Sequence, residues 1–374
     1  MQQGYTPPDF SEARFQEAPD ARFVPAPGDG ILPDDFFATS NLPIYVKIGG
    51  QWRLPRVPRM DGVIVQEPDG LRVTEGRYVR AGQPVAVGYA EDGTEGIYVN
   101  FTGFLGSARA TGEFQFMSSE VSREKPVDYA LMADMLRAER ERGGHIVWVV
   151  GPAVLHSRGR DVVTWFIENG YVGALLGGNA VAVHDIEQAL LGTTLGMDRS
   201  GRPVTGGHAF HMRAINRIAR AGSIREAVDQ GVLTQGIMHA CVTHDVPFVL
   251  AGSIRDDGPL PDTVTDTVRA QELMREHATR ATMTIMIATA LHSIAFGNML
   301  PAYVVDNDGT PRPLTTIAVD TSEFVVSKLK DRGTHQAFGV ITNAQDFLHV
   351  LRYFVEHNPV EAAQPDFARP GVGA

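Results

Sequence analysis

From about residue 144 to residue 358, short and wholly apolar runs alternate with stretches of helical periodicity. Few architectures accept that alternation. The runs are HIVWVV (145–150), VGALLGG (172–178), VPFVLAG (246–252), TTIAVD (315–320) and AFGVIT (337–342). A strand that is apolar at every position has no solvent face, so it belongs inside a parallel sheet covered on both sides. The segments between them supply the helices. One lies near DVVTWFIENG, one opens at Asn179, and one long helix covers HMRAINRIARAGSIREAVDQG. One or two more fill the stretch from about Asp266 to Phe296, the second nearly all apolar. TSEFVVSKLKDRG and NAQDFLHVLRYFVEH complete the set. The expected fold over 144–358 is a doubly wound α/β domain.

Upstream the pattern changes. Residues 36–120 hold short β-branched and aromatic runs separated by turn signals at Gly49-Gly50, Asp69-Gly70, Ala81-Gly82 and Asp92-Gly93. They read as a small, mostly antiparallel β domain. A connecting helix spans 121–143 and stops at Gly143-Gly144. Residues 1–35, rich in Pro, Asp and Ala, read as an extended arm, and 359–374 as a loose tail. With 33 basic and 44 acidic side chains, the net charge is −11. Such a chain has no general attraction to nucleic acid or to an anionic membrane. No apolar run is long enough for a membrane helix, and the first residues lack the layout of a secretory signal. A single cysteine, Cys241, excludes an internal disulfide and a cysteine-based zinc site. A cytoplasmic protein is expected.

In open α/β sheets, ligands gather at the carboxyl ends of the strands. The residues that follow the strands form one rim: Gly151-Pro152-Ala153, Gly177-Gly178-Asn179-Ala180, Ser253 to Gly258, Asp320-Thr321-Ser322 and Thr342-Asn343. Small residues admit backbone N–H groups to phosphate, and helix N-termini carry partial positive charge. Asp320, at a strand end, suits the two ribose hydroxyls of an adenosine and would repel a 2′-phosphate, which favours NAD over NADP. It also suits a helix N-cap, as does Asn179. No G-x-G-x-x-G follows any strand, so the ordinary dinucleotide fingerprint is absent.

Three further groups stand out. In Gly206-Gly207-His208-x-x-His211, followed by Arg213, two imidazoles lie three apart. That spacing fits a substrate or phosphate clamp or a solvated pair. No neighbouring acid completes a metal set, so no metal is expected. The loop Gly252-Ser-Ile-Arg255-Asp256-Asp257-Gly258 sets an arginine and two carboxylates behind a buried strand. His292 lies within an apolar helical stretch, as a core histidine or a functional one.

Several long strings together resemble the archaeal-type ornithine cyclodeaminases: GGHIVWVVGPAVLH, GYVGALLGGNAVAVHDIE, GVLTQGIMHACV, VPFVLAGSIRDDGPLPDT, LHSIAFGNMLPA and FFATSNLP. The same family supplies the C-terminal half of the cyanobacterial arginine dihydrolase/ornithine cyclodeaminases. It is also known as a lysine-oxoglutarate reductase/saccharopine dehydrogenase conserved-domain group. The resemblance runs from about residue 31 to 350. It implies a small β domain followed by an NAD-binding domain similar to deoxyhypusine synthase. It implies NAD contacts from residues matching Asn179, Ala180, Asp256, Asp257, Thr289, Ala290, Leu291, His292, Asp320, Thr321, Gly339 and Val340. The implied reaction turns L-ornithine into L-proline and ammonia by hydride abstraction, cyclisation and hydride return. Asp256 is the first candidate for the base, with His292 and His211 next. Arg213 or Arg255 suits the substrate carboxylate, with His208 beside it. A homo-oligomer is implied as well. One departure bears on substrate. The family pattern reads close to G-H-R-N-H-L-R-A-I-N where this chain has Gly207-His208-Ala209-Phe210-His211-Met212-Arg213-Ala214-Ile215-Asn216. If the lost polar pair touches substrate, a less polar amino acid is preferred. A dehydrogenase or reductase of another amino or imino acid, and a non-catalytic NAD-binding regulator, are the alternatives.

Overall fold

The computed structural model describes residues 5–104, 127–198, 200–256, 258–306, 309–330 and 336–357. The N-terminal part contains α1 (Ala13–Glu17), β1 (Arg22–Pro25), β2 (Ile44–Ile48), β3 (Gln51–Arg53), β4 (Val63–Glu67), β5 (Gly70–Thr74), β6 (Pro84–Val87) and β7 (Ile97–Val99). Two antiparallel sheets form, ordered β1-β6-β4-β5 and β3-β2-β7. They share one core, in which Ile44, Val46, Ile97 and Val99 of one sheet meet Ile64, Val73 and Ala86 of the other.

The N-terminal segment is more than an arm. β1 pairs with β6, with Phe23 opposite Ala86, and so extends the four-stranded sheet. Phe15 of α1 is buried among Phe10, Trp52 and Tyr98. The buried Lys47 ammonium donates to the carbonyls of Phe15 (2.9 Å), Gln16 (2.9 Å) and Ala18 (2.7 Å). Those are the last carbonyls of α1, the groups a helix leaves without partners. A four-residue strand containing a proline gives little periodicity to read, which is why the sequence hides it.

The second part runs α2 (Tyr129–Glu141), β8 (Ile146–Val150), α3 (Gly159–Glu168), β9 (Ala174–Gly178), α4 (Asn179–Leu191), α5 (Phe210–Ala221), α6 (Ile224–Asp229), α7 (Ile237–Thr243), β10 (Phe248–Ala251), β11 (Thr263–Val264), α8 (Thr267–Ala278), β12 (Met283–Ile287), α9 (Ala290–Met299), β13 (Tyr303–Val305), β14 (Pro311–Pro313), β15 (Thr315–Asp320), α10 (Glu323–Lys330), β16 (Gln336–Ile341) and α11 (Ala344–His357). A seven-stranded parallel sheet has the order β11-β10-β9-β8-β12-β15-β16. Trp148, Leu175, Ile285 and Ile317 point to one face and pack with α2, α3, α7 and α11. Val149, Leu176, Met286 and Ala318 point to the other and pack with α8 and α9. Helices on both faces make the sheet doubly wound.

Two expected helices are corrected. The long helix over 211–231 is two, α5 and α6, because Gly222 takes φ +110° and Ser223 caps the next helix by accepting from Glu226 N–H. The stretch from Asp266 to Phe296 is not helical throughout. Its apolar middle is β12, a central strand. All five of its residues are buried, so the two-residue alternation of a strand is invisible in the sequence.

Candidate functional site

Restoring β12 reveals where the sheet reverses. Going from β8 the chain builds outward through β9 and β10. It then crosses back to place β12 on the other side of β8. The carboxyl ends of β8 and β12 therefore flank a switch point, where open α/β sheets leave a crevice. The two loops there are in close contact. A Cβ on Gly151 would lie 1.9 Å from the Ala288 carbonyl oxygen, so only glycine allows this approach. Ala288 itself takes φ 55°, in the left-handed region. It turns the chain so that Thr289 and α9 start at the rim.

His292 sits in the first turn of α9, at the crevice, rather than deep in a helical core. Its Nδ1 lies 3.1 Å from Thr289 Oγ1, and its ring packs on Gly178, whose Cβ would lie 2.7 Å from Cε1. Burial lowers the pKa of this imidazole, and the nearby Asp256 carboxylate partly opposes that shift. The imidazole is thus neutral near pH 7 and able to accept a proton. The glycine pair 177–178, read from the sequence as room for a ligand, has a different use at Gly178, which is room for His292.

Asp256 is held by its own turn. Oδ2 accepts from Ser253 N–H at 2.7 Å, and Asp256 N–H donates back to the Ser253 carbonyl. The far end of the loop is fixed by Asn179, whose Oδ1 accepts from Leu260 N–H and Thr263 Oγ1, both at 3.0 Å. Asp262 secures it again by accepting from Ile224 N–H at 2.9 Å. Asn179 is therefore the first helical residue of α4 and a loop anchor, not the N-cap, which is Gly178. Asp257 lies outside the described residues. Arg255 is exposed beside Asp256, and Ile254 at the loop tip is fully exposed.

Helix starts are of two kinds, and the uncapped kind includes α1, α5 and α7 as well as two near the crevice. α2, α6 and α8 each begin with a side-chain cap, from Asp128, Ser223 and Asp266. α9, which follows β12, and α4, which follows β9 on the far side of β8, have no side-chain cap. Their first-turn N–H groups remain available to an anion. Ala180, Ala290 and Leu291 lie in these first turns. Asp320 ends β15, and one carboxylate oxygen accepts from Ser322 N–H at 2.9 Å, with Thr321 exposed between them. Gly339 and Val340 lie inside β16, and the Val340 side chain is in the core. Only their backbone is suited to meet a ligand.

His208, His211 and Arg213 fall on a separate element. A short turn at Gly207–Ala209 leads into α5, which packs on α4 and α6. His208 is exposed, His211 is half-buried, and Arg213 lies over the Phe210 ring at 5.5 Å. No hydrogen bond or ion pair joins them to Asp256 or His292 among the described residues. Sequence reasoning also missed Glu187. This buried carboxylate accepts from Thr193 Oγ1 (2.8 Å), Leu195 N–H (3.2 Å) and Gly196 N–H (2.9 Å), and lies 3.2 Å from His184 Nδ1. It fixes the loop that leads to His208. No cue in the sequence separates it from a surface glutamate of α4.

Comparison with known proteins agrees with this architecture. Residues 130–351 match the family described as arginine dihydrolase ArgZ-like, C-terminal, Rossmann fold, and residues 43–131 match its C-terminal first region. An ornithine cyclodeaminase of Methanopyrus kandleri is 46% identical over 337 residues, covering 89% of this chain and 77% of the relative. The bifunctional arginine dihydrolase/ornithine cyclodeaminase AgrE of a Nostoc species is 43% identical, and the match covers 90% of this chain but 47% of the relative. The chain thus spans about half the length of that bifunctional protein. Among solved structures, a conserved putative LOR/SDH protein from Methanococcus maripaludis superposes with a TM-score of 0.81 at 41% identity, covering 91% of this chain and 99% of that one. A ternary complex of AgrE with ornithine and NAD⁺ has a TM-score of 0.57 at 38% identity, covering 92% of this chain and 47% of that one. On its sequence and on its parallel sheet with a β-rich first region, this chain belongs to the ArgZ-like C-terminal family that includes the archaeal ornithine cyclodeaminases.

Proposed function

We propose that this chain is an NAD-dependent ornithine cyclodeaminase, converting L-ornithine to L-proline and ammonia. The observation that carries the reading is a neutral His292 within electrostatic reach of Asp256, in the first turn of the uncapped α9 at the sheet's switch point, with the uncapped α4 following the next strand, β9. The relatives named ornithine cyclodeaminase, and the AgrE complex containing ornithine and NAD⁺, support it.

The residues present fit a dinucleotide. The bare N-termini of α4 and α9 suit a pyrophosphate. Asp320 uses one oxygen within its own turn, and the other, with no side-chain partner among the described residues, suits a ribose diol. Bound NAD supplies a hydride acceptor and donor within one cycle, so the overall conversion is redox-neutral. The protein's part is geometry and proton management. Asp256 and His292 take protons from the substrate ammonium groups and return one to the departing ammonia. Thr289 orients the His292 ring through Nδ1, leaving Nε2 for the substrate side. Arg255, next to Asp256, matches the α-carboxylate, and Arg213 on α5, with His211 there and His208 in the turn before it, offers a second polar element.

The test is a panel of diamino acids incubated with purified protein and NAD⁺, with ammonia and cyclic amino acid as readouts. Proline and ammonia from L-ornithine, in equal amounts and without accumulating NADH, are expected. NADH building up in step with substrate loss would instead favour a simple dehydrogenase. In the same assay Asp256→Asn is expected to lower turnover by about 10²-fold or more while NAD affinity holds.

A further inference from the structure

A second cleft lies at the opposite end of the sheet. It occupies about 550 Å³ between the β-rich region and the parallel-sheet region, within the range of small-molecule sites. One wall comes from Leu54 and Val57 of the β-rich region. The other comes from Met299, at the end of α9, and from Pro301 and Val304 beyond it. Arg280 to Thr282 on its rim precede β12, so the cleft sits at the amino end of that strand. That is about 16 Å along β12 from the crevice holding His292.

The charge of this cleft is opposite to that of the chain. Arg56, Arg59, Arg275 and Arg280 line it, and no acidic residue does among the described lining residues, although the protein carries a net charge of −11. Part of that charge is already matched. Arg56 pairs with Glu67 and Asp69 on the exposed side. Arg59 and Arg275 share Glu75, which lines the adjoining cleft. One cation is left over. Arg280 has no ion-pair partner among the described residues. Arg275 gives one Nη to Glu75 and the other to Tyr78 Oη, while its buried Nε–H has no acceptor there. That Nε has no accessible surface, so a ligand in the cleft meets Arg275 only through its Nη groups, and Arg280 is the cation left open to a carboxylate.

We propose that this cleft binds a small organic carboxylate with an apolar body, whose carboxylate meets Arg275 and Arg280 and whose body lies between Val57 and Met299. The site is separate from the strand-tip crevice and does not depend on the reaction assigned there. Met299 is the last residue of α9, and the first turn of α9 carries His292. One rigid helix therefore spans both sites, which places the ligand where it can act on turnover.

The probe is 3-phenylpropionate, titrated calorimetrically into the full chain, with 3-phenylpropanol and acetate as controls. Binding of 3-phenylpropionate with a Kd of about 1 mM or tighter is expected, with both controls weaker by at least tenfold. Arg280→Gln, at an exposed position without a partner, and Thr279→Glu, an exposed lining residue, should each weaken binding about tenfold. Arg217→Gln, an exposed arginine of α5, should leave it unchanged. NAD affinity should not change when the carboxylate is present at saturation. No binding, equal binding of the alcohol, insensitivity to both cleft variants, or competition with NAD would each overturn the proposal.

Discussion

At the level of single residues, the site depends on where one imidazole ring is held. Gly178→Ala tests that without touching a reacting group. Its Cβ would lie 2.7 Å from His292 Cε1, and a side chain yields more readily than backbone. The expected result is an unchanged thermal midpoint with turnover lower by about tenfold, because the ring must leave its present seat. The pH profile gives a second check. Burial depresses the His292 pKa, so the neutral form persists below the usual imidazole range. Activity should be flat through neutral pH and fall only in acid, at a pH under about 6.5. A midpoint at or above that value would place the base elsewhere. Asp256, Asp320 and Asn179 were legible in the sequence because they follow apolar runs. Their uses were not. Asn179 anchors Leu260 and Thr263, a contact more than eighty residues away that local pattern does not encode. Nor does any residue pattern announce a left-handed alanine such as Ala288.

At the level of elements, the parallel strands were readable where glycine or a turn bounded them. β12 was not, since Thr282 to Ala290 offers no such punctuation and both its faces are buried. This strand also carries a local cost. Thr284 pairs in register with Thr316 of β15, and both hydroxyls are buried without a hydrogen-bond partner among the described residues. Thr284→Val keeps the shape and removes an unsatisfied group, so it should stabilise the fold by about 1 kcal/mol. Denaturant midpoints would show it, and a loss of stability would mean the hydroxyl has a partner after all. At the N-terminus, Lys47→Met should free α1, because three carbonyls lose their shared donor. Limited proteolysis is expected to cut within the first 20 or so residues of that variant. The parallel-sheet region should remain intact.

At the level of the whole molecule, the order of the strands matters more than their number. The reversal between β8 and β12 creates the crevice, where α9 starts without a side-chain cap, as α4 does after the next strand, β9. The amino end of the same sheet is held by a different device. His145 Nε2 lies 3.2 Å from His277 Nδ1, joining the start of β8 to the end of α8. Burial, with the positive charge of Arg280 nearby, lowers the His145 pKa to about 4. An unfolded histidine titrates near 6.5, so the unfolded chain binds the extra proton first. The stability this pair contributes should be complete above about pH 6.5 and be lost progressively as pH falls towards 4. His145→Phe should flatten that part of the stability curve. The central claim concerns the other end of the sheet, and one measurement addresses it directly: the structure of this protein with NAD and L-ornithine bound. The account requires the pyrophosphate at the starts of α4 and α9, the ribose on Asp320, and the ornithine α-carbon within about 4 Å of the nicotinamide ring beside Asp256 and His292. A dinucleotide bound away from that crevice, or ornithine remote from Asp256 and His292, would contradict it.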